Sequence, residues 1–355
     1  MNSEIIQGNA HIDTDTENRL YDEMRKHFWY PVAYSDDLTD SPQGFTLFGE
    51  KLVVVRLNGA PHVFEDLCRH RGAALSLGVV DNGGLRCPYH GWTYGPDGRV
   101  IRVPARPELS AVINACLPSY PVAEVSGLIY TSLGEPKFPP PSITEFDDPT
   151  YHFLHLGIYE WECSLPRRLE NYFDFSHFAW VHDGILGDSG SPEVDDYEVN
   201  RHGSEIRFEA GPFVEFTNNV KNRSSETSEQ ETYGAIKRYQ VFVPNAMKLN
   251  SSVGEINDYV LWVCLAPVSP TRTRCFTYQG RNYDFGDDAG FRSFGETIND
   301  QDKPIVESQR PGQLPRDLSA EIHVKGSDRA SLEYRRWLYE IAHGTVRMAP
   351  IEATI

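Results

Sequence analysis

The pattern of apolar and polar positions along the chain changes twice. Residues 1–26 form a polar lead-in with a helical stretch from Glu17 to Lys26. From His27 onward, short apolar runs are punctuated by turn residues. Phe45-Thr-Leu-Phe48, Lys51-Leu-Val-Val-Val-Arg56 and His62-Val-Phe-Glu65 predict strands, and Asn58-Gly59 between two of them predicts a hairpin. A second hairpin is predicted by Trp92-Thr-Tyr94 and Arg99 to Val103 around the turn Gly95-Pro-Asp-Gly98. Gly127 to Leu133 completes an all-β section over 27–135. Pro139-Pro140-Pro141 then fits neither helix nor sheet and predicts a stiff connector, which sets the domain boundary.

Beyond the prolines, over 136–355, the elements are of mixed type. Tyr151 to Trp161 predicts a strand and Leu165 to Val181 a helix. Strand-like runs follow near Ile206 to Phe216, Ile236 to Phe242, Tyr259 to Leu265 and Arg274 to Gln279. Phe291 to Gln309 predicts a helix, and so does Asp328 to His343, with Ser327 as N-cap and Gly344 past its end. Strands followed by helices, without strand–helix–strand alternation, indicate an α+β domain.

Composition narrows the setting. The formal net charge of -18 argues against nucleic acid or an anionic membrane as the main partner. The longest apolar run, Tyr259 to Val268, is far short of the roughly 20 residues that a membrane helix needs. The amino terminus lacks a basic-then-apolar signal pattern. Six cysteines in a chain of 355 residues make no disulfide framework, which fits a reducing cytoplasm.

Two constellations carry chemistry. Cys68-Arg-His70 and Cys87-Pro-Tyr-His90, separated by sixteen residues, offer two thiolates and two imidazoles on two loops. Such a set suits tetrahedral zinc, or a two-iron cluster with cysteines on one iron and histidines on the other. The second constellation is Asn171-Tyr-Phe-Asp174-Phe-Ser-His177-Phe-Ala-Trp-Val-His182, three ionisable groups in an otherwise apolar segment. On a regular helix Asp174 and His177 are about 60° apart, but His177 and His182 are about 140° apart. Both histidines reach one ion only if the helix ends near Ala179 or bulges there. A pair of histidines with a carboxylate is the ligand set of a non-haem Fe(II) oxygenase. Asp174 is the nearest carboxylate by sequence.

Cys68-Arg-His-Arg-Gly72 and Cys87-Pro-Tyr-His-Gly-Trp92 resemble the two ligand loops of a Rieske iron–sulfur domain, and Asn171-x-x-Asp174-x-x-His177-x-x-x-x-His182 resembles the catalytic motif of Rieske oxygenases. The resemblance spans His27 to about Leu338. Phe28-Trp-Tyr-Pro31, Leu169-Glu-Asn171 and Asp302-Lys-Pro-Ile-Val-Glu-Ser-Gln309 are similar to methylxanthine N-demethylases. His182-Asp-Gly-Ile-Leu-Gly-Asp188, Glu321-Ile-His-Val324 and Tyr334-Arg-Arg-Trp-Leu338 are similar to saxitoxin-pathway hydroxylases. The fold implied is α+β overall: an all-β Rieske [2Fe-2S] domain, then a helix-grip-like catalytic domain on an antiparallel sheet.

The resemblance also implies roles. Cys68 and Cys87 would hold one iron of the cluster and His70 and His90 the other, with the histidine side nearer the surface. His177, His182 and Asp302 would hold a mononuclear Fe(II), with Asp300 and Glu307 as nearby competitors for the third place. Asp174 would then bridge an iron-ligand histidine to the partner subunit's His90 in a homotrimer, and Asn171 would support the site. The activity implied is monooxygenation with O2 and electrons from a ferredoxin or an NAD(P)H-dependent reductase. Oxidative N- or O-dealkylation of a small organic substrate is expected. Simple hydroxylation or aromatic cis-dihydroxylation is the alternative, and an electron carrier without oxygenase activity the rival of another class. Phe291, Phe294 and Ile298 are candidates for the substrate pocket. From Asp66 to Arg106, six arginines stand against three aspartates, a candidate docking patch for an acidic electron donor.

Overall fold

The computed structural model describes residues 5–6, 14–216, 232–253, 257–315 and 318–345. The chain folds into two compact units, one formed by residues 25–142 and the other by 1–24 together with 143–355. The lead-in helix α1 (Thr14–His27) runs a turn longer at its start than its sequence pattern predicts.

Unit 25–142 is built from small antiparallel sheets. Gln43–Leu47, Glu50–Leu57, Ala60–Glu65 and Ser119–Tyr120 form one four-stranded sheet. Val79–Asp81, Gly84–Arg86, Thr93–Tyr94 and Val100–Arg102 form a second. The predicted hairpin turn is present, with Asn58 at φ 51° and Gly59 at φ 84°, the paired positive angles that favour Asn-Gly. Val53, Val55, Phe64, Leu75 and Leu85 fill the core between the two sheets. Both candidate loops leave from this core, so their cysteines start from fixed backbone.

The second unit carries a seven-stranded antiparallel sheet. Its order is His152–Trp161, Arg272–Arg281, Asn257–Ser269, Ala246–Val253, Thr232–Phe242, Glu205–Phe216, Val199–His202. Apart from the first strand, which joins beside the last, it is a meander, so consecutive runs pair with their neighbours. Val199–His202 and Ala246–Val253 were not predicted, because Asn200, Arg201, Lys248, Asn250 and Ser251 dilute the apolar signal. Their strand character comes from pairing with neighbouring strands. The long helix α4 (Asp288–Ser308) packs on this sheet, and α5 (Arg329–Ala342) follows.

The helix expected over Leu165–Val181 is two helices. α2 (Leu165–Asn171) is capped by Ser164, whose Oγ accepts from Arg167 N. α3 (Phe178–Val181) follows an open turn. In that turn Asp174 Oδ1 accepts from Ser176 N at 3.1 Å, a local bond that competes with helix continuation. The expected cap of α5 also shifts by a residue. Asp328 occupies the N-cap position without a side-chain cap bond, while Ser327 Oγ donates to Asp328 Oδ1.

A buried ion network ties α2, α5 and the segment before α5 together. Arg335, 3% exposed, reaches Glu170 at 2.5 Å and Glu321 at 2.7 Å, and Arg167, also 3% exposed, reaches Glu321 at 2.5 Å. Burial by itself would raise the Glu321 carboxyl, yet hydrogen bonds from Arg167 and the Arg335 charge hold it down at about 2. A carboxylate with a depressed folded pKa stabilises above its unfolded pKa and loses that contribution as pH falls through the folded value. Glu321→Gln is therefore expected to lower stability by about 2 kcal/mol at neutral pH. The gap to wild type should close between roughly pH 4 and 2, as read from denaturation curves at several pH values.

Candidate metal centres

The two cysteine–histidine loops are near-copies of one another. Cys68 N donates to Ala73 O at 2.9 Å and Gly72 N to Cys68 O at 2.8 Å. In the other loop Cys87 N donates to Trp92 O at 2.8 Å and Gly91 N to Cys87 O at 3.2 Å. Gly72 and Gly91 close these turns at φ 69° and 70°, a conformation that explains the glycine after each pair. Cys68 and Cys87 are each 2% exposed, and all six cysteines of the chain are free thiols. The His70 and His90 rings lie 4.5 Å apart, with His70 stacked on Trp92 at 4.6 Å. His70 is half-buried and His90 exposed, so the imidazole side faces outward as expected. Tyr94 OH sits 3.1 Å from Cys68 Sγ, a contact that the sequence reading missed although Tyr94 lies in the predicted hairpin.

In the second unit, His177 occupies the N-cap of α3 and His182 its C-cap, so a single short turn separates them. Their ring centroids are 5.1 Å apart. Asp302 comes from α4: its Oδ1 lies 3.1 Å from His182 Nε2 and 3.4 Å from His177 Nε2. His182, at 1% exposure, and Asp302, at 5%, are sealed from solvent. Asp300 is exposed, and Glu307 Oε1 accepts from Glu162 N at 2.8 Å, so neither joins the group. Asp174, on the turn between α2 and α3, stands apart from the trio. Its carboxyl is pushed up to about 6, mainly by burial and then by Glu170 and Asp328.

Residues 28–121 match the Rieske [2Fe-2S] domain family, and residues 161–343 match the vanillate O-demethylase oxygenase C-terminal domain family. The chain is 31% identical over 335 residues to the methylxanthine N3-demethylase NdmB of Pseudomonas putida, which covers 90% of each. The chain belongs to the Rieske oxygenases. The solved structure of Pseudomonas putida CBB5 NdmA with caffeine superposes with a TM-score of 0.77 at 29% identity, covering 93% of both chains. The vanillate O-demethylase oxygenase subunit of a Pseudomonas strain is 31% identical over 180 residues, 49% of each chain.

As a Rieske oxygenase the protein uses a [2Fe-2S] cluster, a mononuclear iron, O2 and electrons from a ferredoxin or reductase. It is a monooxygenase of the oxidative N- and O-dealkylating kind. The oxygenase match also accounts for 161–343, which a simple electron carrier leaves without a role. The side chains present fit both metals. Paired buried thiols below two outward imidazoles suit the cluster, and His70 Nδ1 is a buried atom without a protein partner. At the second site Gln301 Oε1 can only accept, so His182 Nδ1 donates the 2.8 Å bond between them. That bond leaves His182 Nε2 directed at Asp302 Oδ1 and placed as a ligand atom. Burial holds the His177 imidazole down at about 4, so it is neutral and able to ligate.

Several residues around the iron site were not legible beforehand. Arg168 is fully buried, with its guanidinium 3.7 Å from the Trp161 ring centre and 3.8 Å from that of Tyr172. It donates to Asn171 Oδ1 and, at 3.0 Å, to Asn299 Oδ1. Arg168 thus joins α2 to α4, and Asn171, on the same helix as Arg168, holds that guanidinium in place. The expected support of the site by Asn171 runs through Arg168. An arginine inside the run Leu165 to Leu169 was the available signal.

Beside the iron site lies a small, partly open cavity of about 70 Å³. Phe294 and Ile298 line it as expected, and Leu186 and Asn299 bring its wall next to His182 and Asp302. Phe291 does not line it. It points into a core cluster with Tyr259 and Tyr283 and is fully buried under Arg281. The arginine excess around the cluster is also smaller than the segment count implies. Arg69 pairs with Glu65, Arg86 and Arg102 with Asp81, Arg99 with Asp97 and Arg106 with Glu108.

Asp302→Ala is expected to lower iron from about three to about two per chain with sulfide and the visible cluster spectrum unchanged. Gln301→Leu should keep the ligands and weaken iron binding by about 10–100-fold in a chelator competition.

Proposed function

We propose that His177, His182 and Asp302 hold the mononuclear iron, that Cys68, Cys87, His70 and His90 hold the cluster, and that a methyl group on nitrogen or oxygen of a small cyclic substrate is removed in the adjoining cavity. The observation that carries this reading is that the cavity is lined by residues about one turn away from His182 and Asp302, although none of the three ligands lines it. Ile298 and Asn299 precede Asp302 by about one turn of α4, and Leu186 follows His182 by about one turn. A methyl group lodged there sits beside the iron ligands. Two of the relatives, methylxanthine N3-demethylase and vanillate O-demethylase, remove methyl groups by their names.

The bound iron supplies the place where O2 is activated. The chain's own part is orientation and dryness. Gln301 sets the His182 tautomer, Arg168 fixes α2 against α4, and Leu156, Leu261, Phe294 and Ile298 keep water from the substrate. Overall, the N–CH3 or O–CH3 group, O2, two electrons from the donor and two protons give N–CH2OH or O–CH2OH and water. The hydroxymethyl group then leaves as formaldehyde, returning N–H or O–H. A screen of N-methyl and O-methyl substrates with a reductase system should show formaldehyde in step with demethylated product. Hydroxylated products without formaldehyde would support simple hydroxylation instead.

The electron path adds the assembly. The exposed His90 faces outward, as a donor to another subunit requires, and Asp174 sits on the turn that positions His177. In the reading favoured here a head-to-tail homotrimer places the partner subunit's His90 beside Asp174. The free thiols are in keeping with a cytoplasmic setting, and no helix among the described residues is long and apolar enough to cross a membrane. Asp174→Ala should retain both metals while reoxidation of the reduced cluster by substrate and O2 slows at least about tenfold, as followed by stopped-flow absorbance. Wild-type reoxidation in that variant would remove Asp174 from the path.

A further inference from the structure

The cavity wall contains an amide that no group among the described residues satisfies. Gln279 lies on the strand Arg272–Arg281, between Leu154 and Leu261 of the flanking strands, and is 1% exposed. Among the described residues neither its Oε1 nor its Nε2 has a hydrogen-bond partner, and the side chain lines the cavity. A buried donor or acceptor left without a partner costs about 1–3 kcal/mol, so a buried amide fork here calls for a partner from within the cavity.

Two further observations narrow that partner. A Cβ at residue 295 of α4 would come within 2.1 Å of Gln279 Nε2 and 2.7 Å of Leu156 Cδ1, so Gly295 is what leaves room for the amide head. Lys237 lines the same cavity, but its ammonium is paired with Glu215, and these side chains are 2% and 0% exposed. The amine therefore brings no uncompensated charge, and the remaining walls are mainly Leu156, Leu249, Leu261 and Phe294. A carboxylate substrate would lose its hydration without gaining a free cation.

We infer that Gln279 determines specificity by reading an uncharged planar ring that carries adjacent N–H and C=O groups, as a lactam or imide does. Gln279 Oε1 accepts the ring N–H and Nε2 donates to the ring carbonyl, two parallel bonds in the plane of the ring. The inference rests on the dealkylation reading, because the cavity is taken as the place where the methyl group is presented to the iron. It adds which ring edge points away from the reaction.

The test is calorimetric binding to the holoenzyme with three probes. Theobromine carries an imide N–H between two carbonyls, caffeine is the same ring with that N–H methylated, and anisate is an O-methyl carboxylate. Theobromine is expected to bind at least about tenfold more tightly than either of the others. Gln279→Leu should cost theobromine about 10–100-fold and leave caffeine within about threefold, with the cluster spectrum and melting temperature confirming a folded variant. Caffeine or anisate binding as tightly as theobromine overturns the inference, as does a variant that keeps the wild-type order or a wild type that binds none of the three. The two readings fail separately. Formaldehyde from anisate with no preference for theobromine leaves dealkylation standing without the Gln279 role. Gln279-dependent theobromine binding, with no formaldehyde from any methyl substrate, leaves the Gln279 role without dealkylation.

Discussion

Two imidazole nitrogens and a carboxylate oxygen converge on one point in a buried interior, the arrangement that a shared cation holds together. That constraint organises the second unit. His182 is oriented by the bond from its Nδ1 to Gln301, His177 is kept neutral by burial, and Asp302 is brought from a helix more than a hundred residues away in sequence. The open turn between α2 and α3 exists for the same reason. A continuous helix would splay the histidines, whereas a short α3 with a histidine at each end brings both rings to one point.

Positive charge near the site is handled with equal care. Among the described residues no carboxylate lies in ion-pair contact with buried Arg168, which is held between two aromatic faces and two amide oxygens. It joins α2 to α4 and so fixes the relation between the histidine and aspartate sides of the iron site. The Lys237–Glu215 pair treats charge differently in the cavity wall, where it keeps a polar group in place while cancelling its charge. The walls can then be apolar where the substrate slides and polar only where it is read.

The cluster unit follows a different logic. Its two loops use the same closure, a cysteine whose amide bonds five residues onward and a glycine with positive φ that turns back on the cysteine carbonyl. The thiols face the core and the imidazoles face outward, so electrons have a short way out through His90. Most of the surrounding arginines are engaged with neighbouring acids, which makes them part of the loop scaffold. Recognition of an electron donor must then draw on more than a simple excess of positive charge.

Much of this was legible in the residues themselves. Paired Cys–His spacings, the Asn58-Gly59 turn, the strand–helix order and the His177/His182 pair are all local, and local chemistry is written in adjacent residues. Asp302 came from resemblance, since one acid on a polar helix carries no local mark of a ligand. The strands Val199–His202 and Ala246–Val253, the break after Asn171 and the core position of Phe291 depend on pairing and packing with distant segments. Gln279, Lys237 and Glu215 were invisible for a deeper reason. In an alternating strand a polar residue signals the solvent face, and only the tertiary structure shows that here the polar side chains face inward, into the space where a substrate would lie.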